Sequence, residues 1–159
     1  MKRYIVSAIL TLCYFTAFSQ PTTNDVCIGV VCPESLEYFS QSGLSRLTQK
    51  MEQIATNNGV AAFYAGAFVM FPKLDVYDIQ TVEGGMKVIE TLKIDLTINV
   101  LQMATKTIIG SIPVVLSGSG YSIEEATSNA ISKINARDPK YSSFISDCKK
   151  RIIDYDEKN

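Results

Sequence analysis

Cysteines are the residues of this 159-residue chain best suited to covalent chemistry, because the sequence contains four of them and no histidine. Histidine is the usual general base near neutral pH and the usual partner of a nucleophilic serine or cysteine. Its absence argues against hydrolases of that kind and against most zinc sites. We therefore interpret Cys148, on the apolar face of a helix, as a buried structural thiol and not as a nucleophile.

Cys27 and Cys32 lie in the apolar segment VCIGVVC, which Pro33 follows. An extended strand would hold their Cα atoms about 16 Å apart, at ~3.3 Å per residue, whereas a disulfide needs about 4.4 to 6.8 Å. A strand and a bridge between these cysteines exclude each other, and the apolar run favours the strand. An odd number of cysteines after residue 20 leaves at least one thiol unpaired, and a bridge from either of them to Cys148 stays open.

Gly118 and Gly120 lie between an apolar run and a helical pattern, which is the position of a phosphate-binding loop. A dinucleotide-binding loop needs a third glycine and a P-loop needs Gly-Lys-Ser/Thr, and the sequence has neither. Ser122 is instead suited to cap the helix, with Glu125 completing a capping box. Glu124 and Glu125 would also repel a phosphate at the positive end of the helix dipole. We predict a turn that binds no anion.

Carboxylates are the remaining candidates for chemistry. Asp75 with Asp78, and the acidic end at Asp154, Asp156 and Glu157, lack the spaced loop and glycine of a calcium hand. A glycan hydrolase needs two facing carboxylates in a cleft, and the sequence shows no such pair. We therefore expect no catalytic, cofactor-binding or metal-binding residue, and a protein that is not an enzyme.

Strands and helices must position these residues, and the sequence predicts them in the order β-α-β-β-β-α-α. LSRLTQKMEQIATNNG has helical periodicity, and residues 86–100 alternate with apolar side chains at even positions, which indicates an antiparallel strand with one wet face. We predict an α+β fold, a mostly antiparallel sheet with helices packed on one face. The expected elements are a strand over 26–32, a helix over 44–57, a strand over 60–71 that bends at Pro72 and continues over 74–82, a turn at 83–85, strands over 86–100 and 106–117 joined near 102–105, and helices within 122–134 and 138–155.

The strand over 106–117 is the candidate for a contact with another protein. Its inward residues are expected to be Ile108, Ile112, Val114 and Leu116. Pro113 cannot donate to a ladder, so we place this strand at or near a sheet edge. Ile109 and Val115 are apolar on the face where the preceding strand is polar. We predict that Ile109, Pro113 and Val115 form part of a protein contact surface.

The first twenty residues have the features of a secretory signal peptide. Lys2 and Arg3 precede an apolar stretch, and Ala17 and Ser19 suit the cleavage pattern. We predict a signal peptide over 1–19, a polar leader over 20–25, one domain over 26–156 and a tail over 157–159. Cleavage would leave 13 basic and 16 acidic residues, a net charge of −3. This balance argues against nucleic acid as a partner, and we expect no stable membrane insertion after cleavage.

Most of the chain after residue 25 resembles a group of exported domains from Bacteroidota-type bacteria. Those domains are similar to the α/β domain of the curli-secretion lipoprotein and of the penicillin-binding-protein activator lipoproteins. The segments that carry the resemblance are VVCPESLEYF, LSRLTQKMEQIATNNGV, AFVMFPKLDV, KIDLTINVLQMATKTIIGSIPVVLSGSGYSIEEATSNAISKI and DPKYSSFISDCKKRIIDY. Leu12 stands before Cys13 where a lipobox has a small residue, so lipid anchoring is not carried over.

The resemblance implies an envelope protein, periplasmic or secreted, that binds or assembles through protein contacts, with envelope proteins or a second copy as partners. Two alternatives come from other classes. One is a carboxylate-dependent hydrolase of envelope glycans. The other is a structural subunit that assembles by strand addition at an open sheet edge.

Overall fold

Four strands form one sheet in the order β1-β2-β3-β4, and three helices pack against it. The structure is a computed structural model that describes residues 26–61, 66–85 and 87–156. The predicted α+β class, element order and mostly antiparallel sheet are confirmed. The predicted signal peptide, leader and tail lie outside the described residues. The elements are β1 (Ile28–Val30), α1 (Gln41–Asn57), β2 (Phe68–Gly84), β3 (Lys87–Gln102), β4 (Thr107–Gly120), α2 (Ile123–Ser132) and α3 (Pro139–Asp156).

The first strand, β1, is shorter than the predicted 26–32 and pairs with β2 in parallel. Just past its end, the Val31 N–H donates to the Met70 carbonyl with an N···O distance of 3.0 Å. The next donor of a parallel ladder would be residue 33, and Pro33 has no N–H. The pairing therefore stops at this proline.

Helix α1 begins three residues before the predicted boundary, because its cap is polar and lies outside the apolar periodicity. The Ser40 Oγ accepts from the Gly43 N–H at 3.1 Å. Gly59 has φ +64°, and the Val60 N–H donates to the Ala55 carbonyl. Val60 thus closes the helix, and at that end the predicted strand is reduced to an isolated parallel bridge between Ala61 and Ile28, with the Ile28 N–H donating to the Val60 carbonyl at 2.7 Å. The buried face is the predicted one, formed by Leu44, Leu47, Met51, Ile54 and Ala55.

Strand β2 begins at Phe68 and runs unbroken through Pro72, so the predicted break at this residue is wrong. Residues 62–65, also predicted as strand, lie outside the described residues. Because the Met70 carbonyl bonds to β1, the even-numbered residues here turn their backbone N–H and C=O groups away from β3. Pro72 is one of these residues, and its missing N–H removes no bond from the ladder with β3.

Strand β3 supplies the centre of the core through its even-numbered side chains. Leu92, Ile94, Leu96, Ile98 and Val100 are buried, as the alternation predicts. The prediction fails at Val88, which is 46% exposed. This end of the β2–β3 hairpin pairs only β2 with β3, because β4 reaches no further than the partner of Glu90.

A bulge between β3 and β4 reverses two of the predicted orientations. Val100 pairs with Gly110 and Leu101 pairs with Ile108, which leaves Ile109 as an extra residue on β4. Ile108 is therefore 55% exposed, although it was expected to face inward. Ile109, expected on the exposed face, is 8% exposed and packs in the core.

Helices α2 and α3 pack on the same face as α1, and the core cluster contains side chains of all three. Glycines on β4 permit this close approach. A Cβ at Gly118 would collide with the Ala126 carbonyl of α2, and one at Gly110 would lie 2.7 Å from the Cys148 Sγ of α3. Helix α3 begins at Pro139, within the predicted range of 138–155, and the Asp138 carboxylate accepts from the Lys140 N–H.

Candidate functional site

All three helices cover one face of the sheet, and within the described residues no helix covers the other. We call this second face the outer face. It consists of the odd-numbered side chains of β3 and their partners on β2 and β4. Its rows, from the β3–β4 turn onward, are Val69–Leu101–Ile108, Phe71–Asn99–Ser111, Lys73–Thr97–Pro113, Asp75–Asp95–Val115 and Tyr77–Lys93–Ser117.

An apolar depression of about 410 Å³ lies at the end of the outer face near the β3–β4 turn. Val69 is 3% exposed and forms its floor, while Met103 is 38% exposed on its wall. The end of β1 contributes the neighbouring wall. Its lining consists of Val31, Cys32, Pro33, Val69, Phe71, Pro72, Leu101, Met103 and Lys106. Such a surface suits an apolar side chain of a partner.

Polar groups beside the depression are satisfied within the fold. The Ser111 Oγ donates to the Asn99 Oδ1 at 2.7 Å, and the Asn99 Nδ2 donates to the Thr97 carbonyl at 3.3 Å. Asn99 is 6% exposed, so its amide is held in one orientation. This pair forms a polar border between the apolar depression and the charged middle of the outer face.

The middle of the outer face holds two aspartates directly opposite each other, Asp75 and Asp95. Both are exposed, and like charges at directly opposed positions destabilise a sheet. The pKa of the Tyr77 hydroxyl is raised, first by desolvation and then by the charge of Asp95 and a hydrogen bond to the Asp95 carboxylate. Lys93, two residues before Asp95 on β3, instead pairs with Asp78 at 2.7 Å. This hydrogen-bonded ion pair lowers the pKa of Asp78 and raises that of Lys93.

The edge of β4 is the sheet edge that the sequence predicted. Side chains from the helices bond to its backbone carbonyls. The Lys133 Nζ donates to the Ser117 carbonyl at 2.7 Å, and the Asn129 Nδ2 donates to the Ser119 carbonyl at 2.6 Å. Arg151 donates to the Ile109 carbonyl at 2.8 Å. These contacts obstruct strand addition along much of β4.

The three predicted contact residues do not lie together. Pro113 and Val115 are exposed on the outer face, and Val115 is 64% exposed. Ile109 lies on the opposite side, in the core, because of the bulge. The residue that takes its expected place is Ile108. A protein contact through this strand stays a prediction, with Ile108 in place of Ile109.

The glycine pair at 118 and 120 belongs to β4 and not to a loop. A Cβ at Gly120 would lie 2.7 Å from the Ala126 N, so both glycines serve helix packing. The Ser122 Oγ accepts from the Glu125 N–H at 3.2 Å, which confirms the predicted cap. The Glu125 carboxylate accepts from the Tyr121 N–H at 2.7 Å, one residue before the expected donor. Acidic groups therefore occupy the helix N-terminus where an anion would bind.

The three cysteines of the described chain are unpaired. Cys27 is exposed. The prediction of a strand between Cys27 and Cys32, in place of a disulfide between them, is confirmed. Cys148 is buried, and burial raises the pKa of its thiol to about 11. A thiol of this kind is almost fully protonated at neutral pH, which makes it a poor nucleophile.

Comparisons with known proteins find similar shapes at low sequence identity. A proposed lipoprotein from Caulobacter crescentus is 11% identical with a TM-score of 0.44, over 75% of this chain and 90% of that one. The PelC dodecamer from Paraburkholderia phytofirmans is 11% identical with a TM-score of 0.43, over 78% and 86%. A minor lipoprotein from Acinetobacter baumannii is 14% identical with a TM-score of 0.39, over 80% and 82%. No family model and no curated protein matches the chain. These likenesses are too distant to assign a family.

The far end of the β2–β3 hairpin exposes apolar side chains for which the sequence analysis made no prediction. Val82 is 51% exposed and pairs with Ile89, which is 39% exposed. The length of the strands was the available signal in the sequence for this exposure, because β2 and β3 extend beyond the residues that pair with β4. None of the helices in the described residues is long and apolar enough to span a membrane.

Proposed function

We propose that this chain is an exported, non-catalytic envelope protein, periplasmic or secreted, that binds another protein through the outer face of its sheet. The observation that carries the proposal is the uncovered apolar surface at one end of that face. Ile108 is 55% exposed beside the apolar depression, in the row of Val69 and Leu101, and Val115 is 64% exposed three rows further along β4. Exposed apolar surface of this kind marks protein contact sites in soluble proteins.

The composition supports a protein as the partner. The expected mature chain is weakly acidic, with no histidine, and its exported location comes from the signal-like N-terminus. A weak negative charge does not attract nucleic acid or an anionic membrane surface. An envelope protein with an exposed apolar side chain fits the depression and its polar border.

A glycan hydrolase is the candidate from another class, because Asp75 and Asp95 face each other. The Cβ atoms of directly opposed residues lie about 4.5 to 5.5 Å apart, close to the roughly 5 to 5.5 Å between the carboxyl groups of a retaining pair. Both aspartates, however, are exposed on an open sheet, and neither lines the apolar depression. A sugar bound there would have no walls to hold it between the two acids. This arrangement favours a binding surface over a catalytic one.

The test is capture of a partner from envelope extract by the mature protein and by charged variants. In Val115→Lys the new ammonium lies directly opposite Asp95, so the fold should keep or gain stability while the apolar contact is lost. Ile108→Lys places a charge at the rim of the depression. The matched control is Val88→Lys, which is similarly exposed but lies at the far end of the β2–β3 hairpin.

We expect a specific captured protein to be retained by the control and lost by at least ~10-fold in both outer-face variants, as for a contact of about 1.4 kcal/mol or more. Mass spectrometry of the eluates measures this, with thermal melting of each variant as the folding check. Equal capture by all variants would move the contact site away from the outer face. Release of reducing sugar from envelope glycan, abolished by Asp95→Asn, would favour the hydrolase instead.

A further inference from the structure

The edge of β2 is open over a short regular segment. β1 covers β2 only as far as Met70, and β2 loses its regular pairing with β3 between Tyr77 and Gln80. Asp78, inside this irregularity, has φ +53°. The segment between these limits, residues 71–77 with the sequence FPKLDVY, has no strand beside its outer edge among the described residues.

The backbone groups on this edge can be assigned from the neighbouring ladder. The Met70 carbonyl turns toward β1, so Leu74 and Val76 turn both their N–H and C=O groups toward the same edge. Pro72 turns only a carbonyl there. No hydrogen bond from a described residue reaches the edge-facing groups of Leu74 or Val76, whereas the β4 edge is closed by Lys133, Asn129 and Arg151.

The segment is complementary to itself in an antiparallel arrangement centred on Leu74. Lys73 of one copy then lies opposite Asp75 of the other, and Phe71 lies opposite Tyr77. Each Leu74 N–H donates to the other Leu74 carbonyl, and each Val76 N–H donates to the other Pro72 carbonyl. The proline at 72 is compatible with this arrangement because its carbonyl is the group that is used.

The charges of the side chains favour this register over the two registers centred one residue to either side. A centre at Lys73 places lysine opposite lysine, and a centre at Asp75 places aspartate opposite aspartate. Lys73 and Asp75 make no ion pair with another described residue, and Asp75 already faces Asp95 across the sheet. Lys73 of a second copy brings a positive charge next to these two negative ones.

We propose that two copies of this chain associate through antiparallel pairing of residues 71–77, which joins the two sheets across a two-fold axis at Leu74. The partly buried side chains of Leu74 and Val76, at the margin of the core, are covered in the process. Symmetric, self-complementary contacts are the common form of homodimer interface. The inference rests on the proposed function in treating the chain as a non-catalytic protein that acts through protein contacts, but it uses the β2 edge and not the outer face.

Sedimentation velocity of the mature protein between about 1 µM and 1 mM tests the proposal, with the range set by weak to moderate affinities. Wild type should shift from monomer to dimer. Lys73→Asp and Asp75→Lys each oppose like charges and should raise the dimer dissociation constant at least ~10-fold. The double variant Lys73→Asp/Asp75→Lys restores opposite charges and should recover dimerisation.

Two proline variants distinguish loss of pairing at the β2 edge from a general loss of stability. Leu74→Pro removes an edge-facing N–H and should abolish the dimer while the monomer stays folded. Ser117→Pro makes the same change on the obstructed β4 edge and should leave the dimer intact. Circular dichroism checks the fold of each variant. A wild type that stays monomeric at ~1 mM, or a dimer unaffected by the charge exchange, overturns the proposal.

The outer-face variant Val115→Lys distinguishes failure of the dimer proposal from failure of the proposed function. Val115→Lys should dimerise normally, whereas Leu74→Pro should still capture the envelope partner. A dimer lost in Val115→Lys and kept in Leu74→Pro would assign self-association to the outer face and overturn the β2 arrangement.

Discussion

Single residues decide how the strands end and how the helices begin. Pro33 stops the pairing of β1, and Pro72 and Pro113 occupy positions where a missing N–H is harmless. Ser40 and Ser122 satisfy helical N–H groups that have no partner inside the helix. These effects are local, and residue type alone was enough to predict the cap at Ser122.

Replacement of Ser122 by alanine should lower the free energy of unfolding by about 0.5 to 2 kcal/mol, because the Glu125 N–H loses its acceptor. Urea denaturation measures the change. Ser119→Ala is the control, since it removes an exposed hydroxyl on β4 while the backbone carbonyl that binds Asn129 remains. Neither phosphate nor ATP should raise the melting temperature. A clear shift with either would reassign the start of α2 as an anion site.

At the scale of elements, the fold depends on the close approach of α2 to β4. Gly118 and Gly120 lie under the first turns of the helix, where any side chain would meet the backbone of Ala126. The sequence showed the glycines but suggested a loop, because glycine is common in both settings. Only the packed helix shows that these residues continue the strand.

Gly118→Ala should destabilise the protein by about 1 to 3 kcal/mol or more, since the added methyl group must displace helix backbone. The matched control is Gly66→Ala, because a Cβ at that position meets nothing within 4 Å. Thermal and urea denaturation of both variants measure the difference. Equal stability of the two would show that α2 can move away from the sheet at little cost.

At the scale of the whole molecule, the described residues form a half-covered sheet, with helices on one face and none on the other. We propose that partners add at the outer face and at the β2 edge, which no helix or strand of the described residues covers. The proposed export rests on a separate feature, the sequence of the N-terminal segment.

Cleavage at the predicted site should release a chain that begins at Gln20, because Ala17 and Ser19 satisfy the small-residue requirement. Intact mass of the protein isolated from its native host measures this directly. Ser19→Leu should slow processing, and Thr16→Val, outside the two critical positions, serves as the control. Retention of residues 1–19 in the native protein would contradict the prediction.

The sequence by itself determined the number, type and order of the elements and most of the core. Periodicity sufficed for α1 and for β3 between Leu92 and Val100, because burial of one face imposes the pattern directly. Tertiary structure alone decided the rest. The bulge that exchanges Ile108 and Ile109 depends on register with β3, and the opposition of Asp75 and Asp95 depends on pairing across a turn. Such contacts join residues distant in the chain, and a single strand carries no record of which residue its neighbour will place opposite.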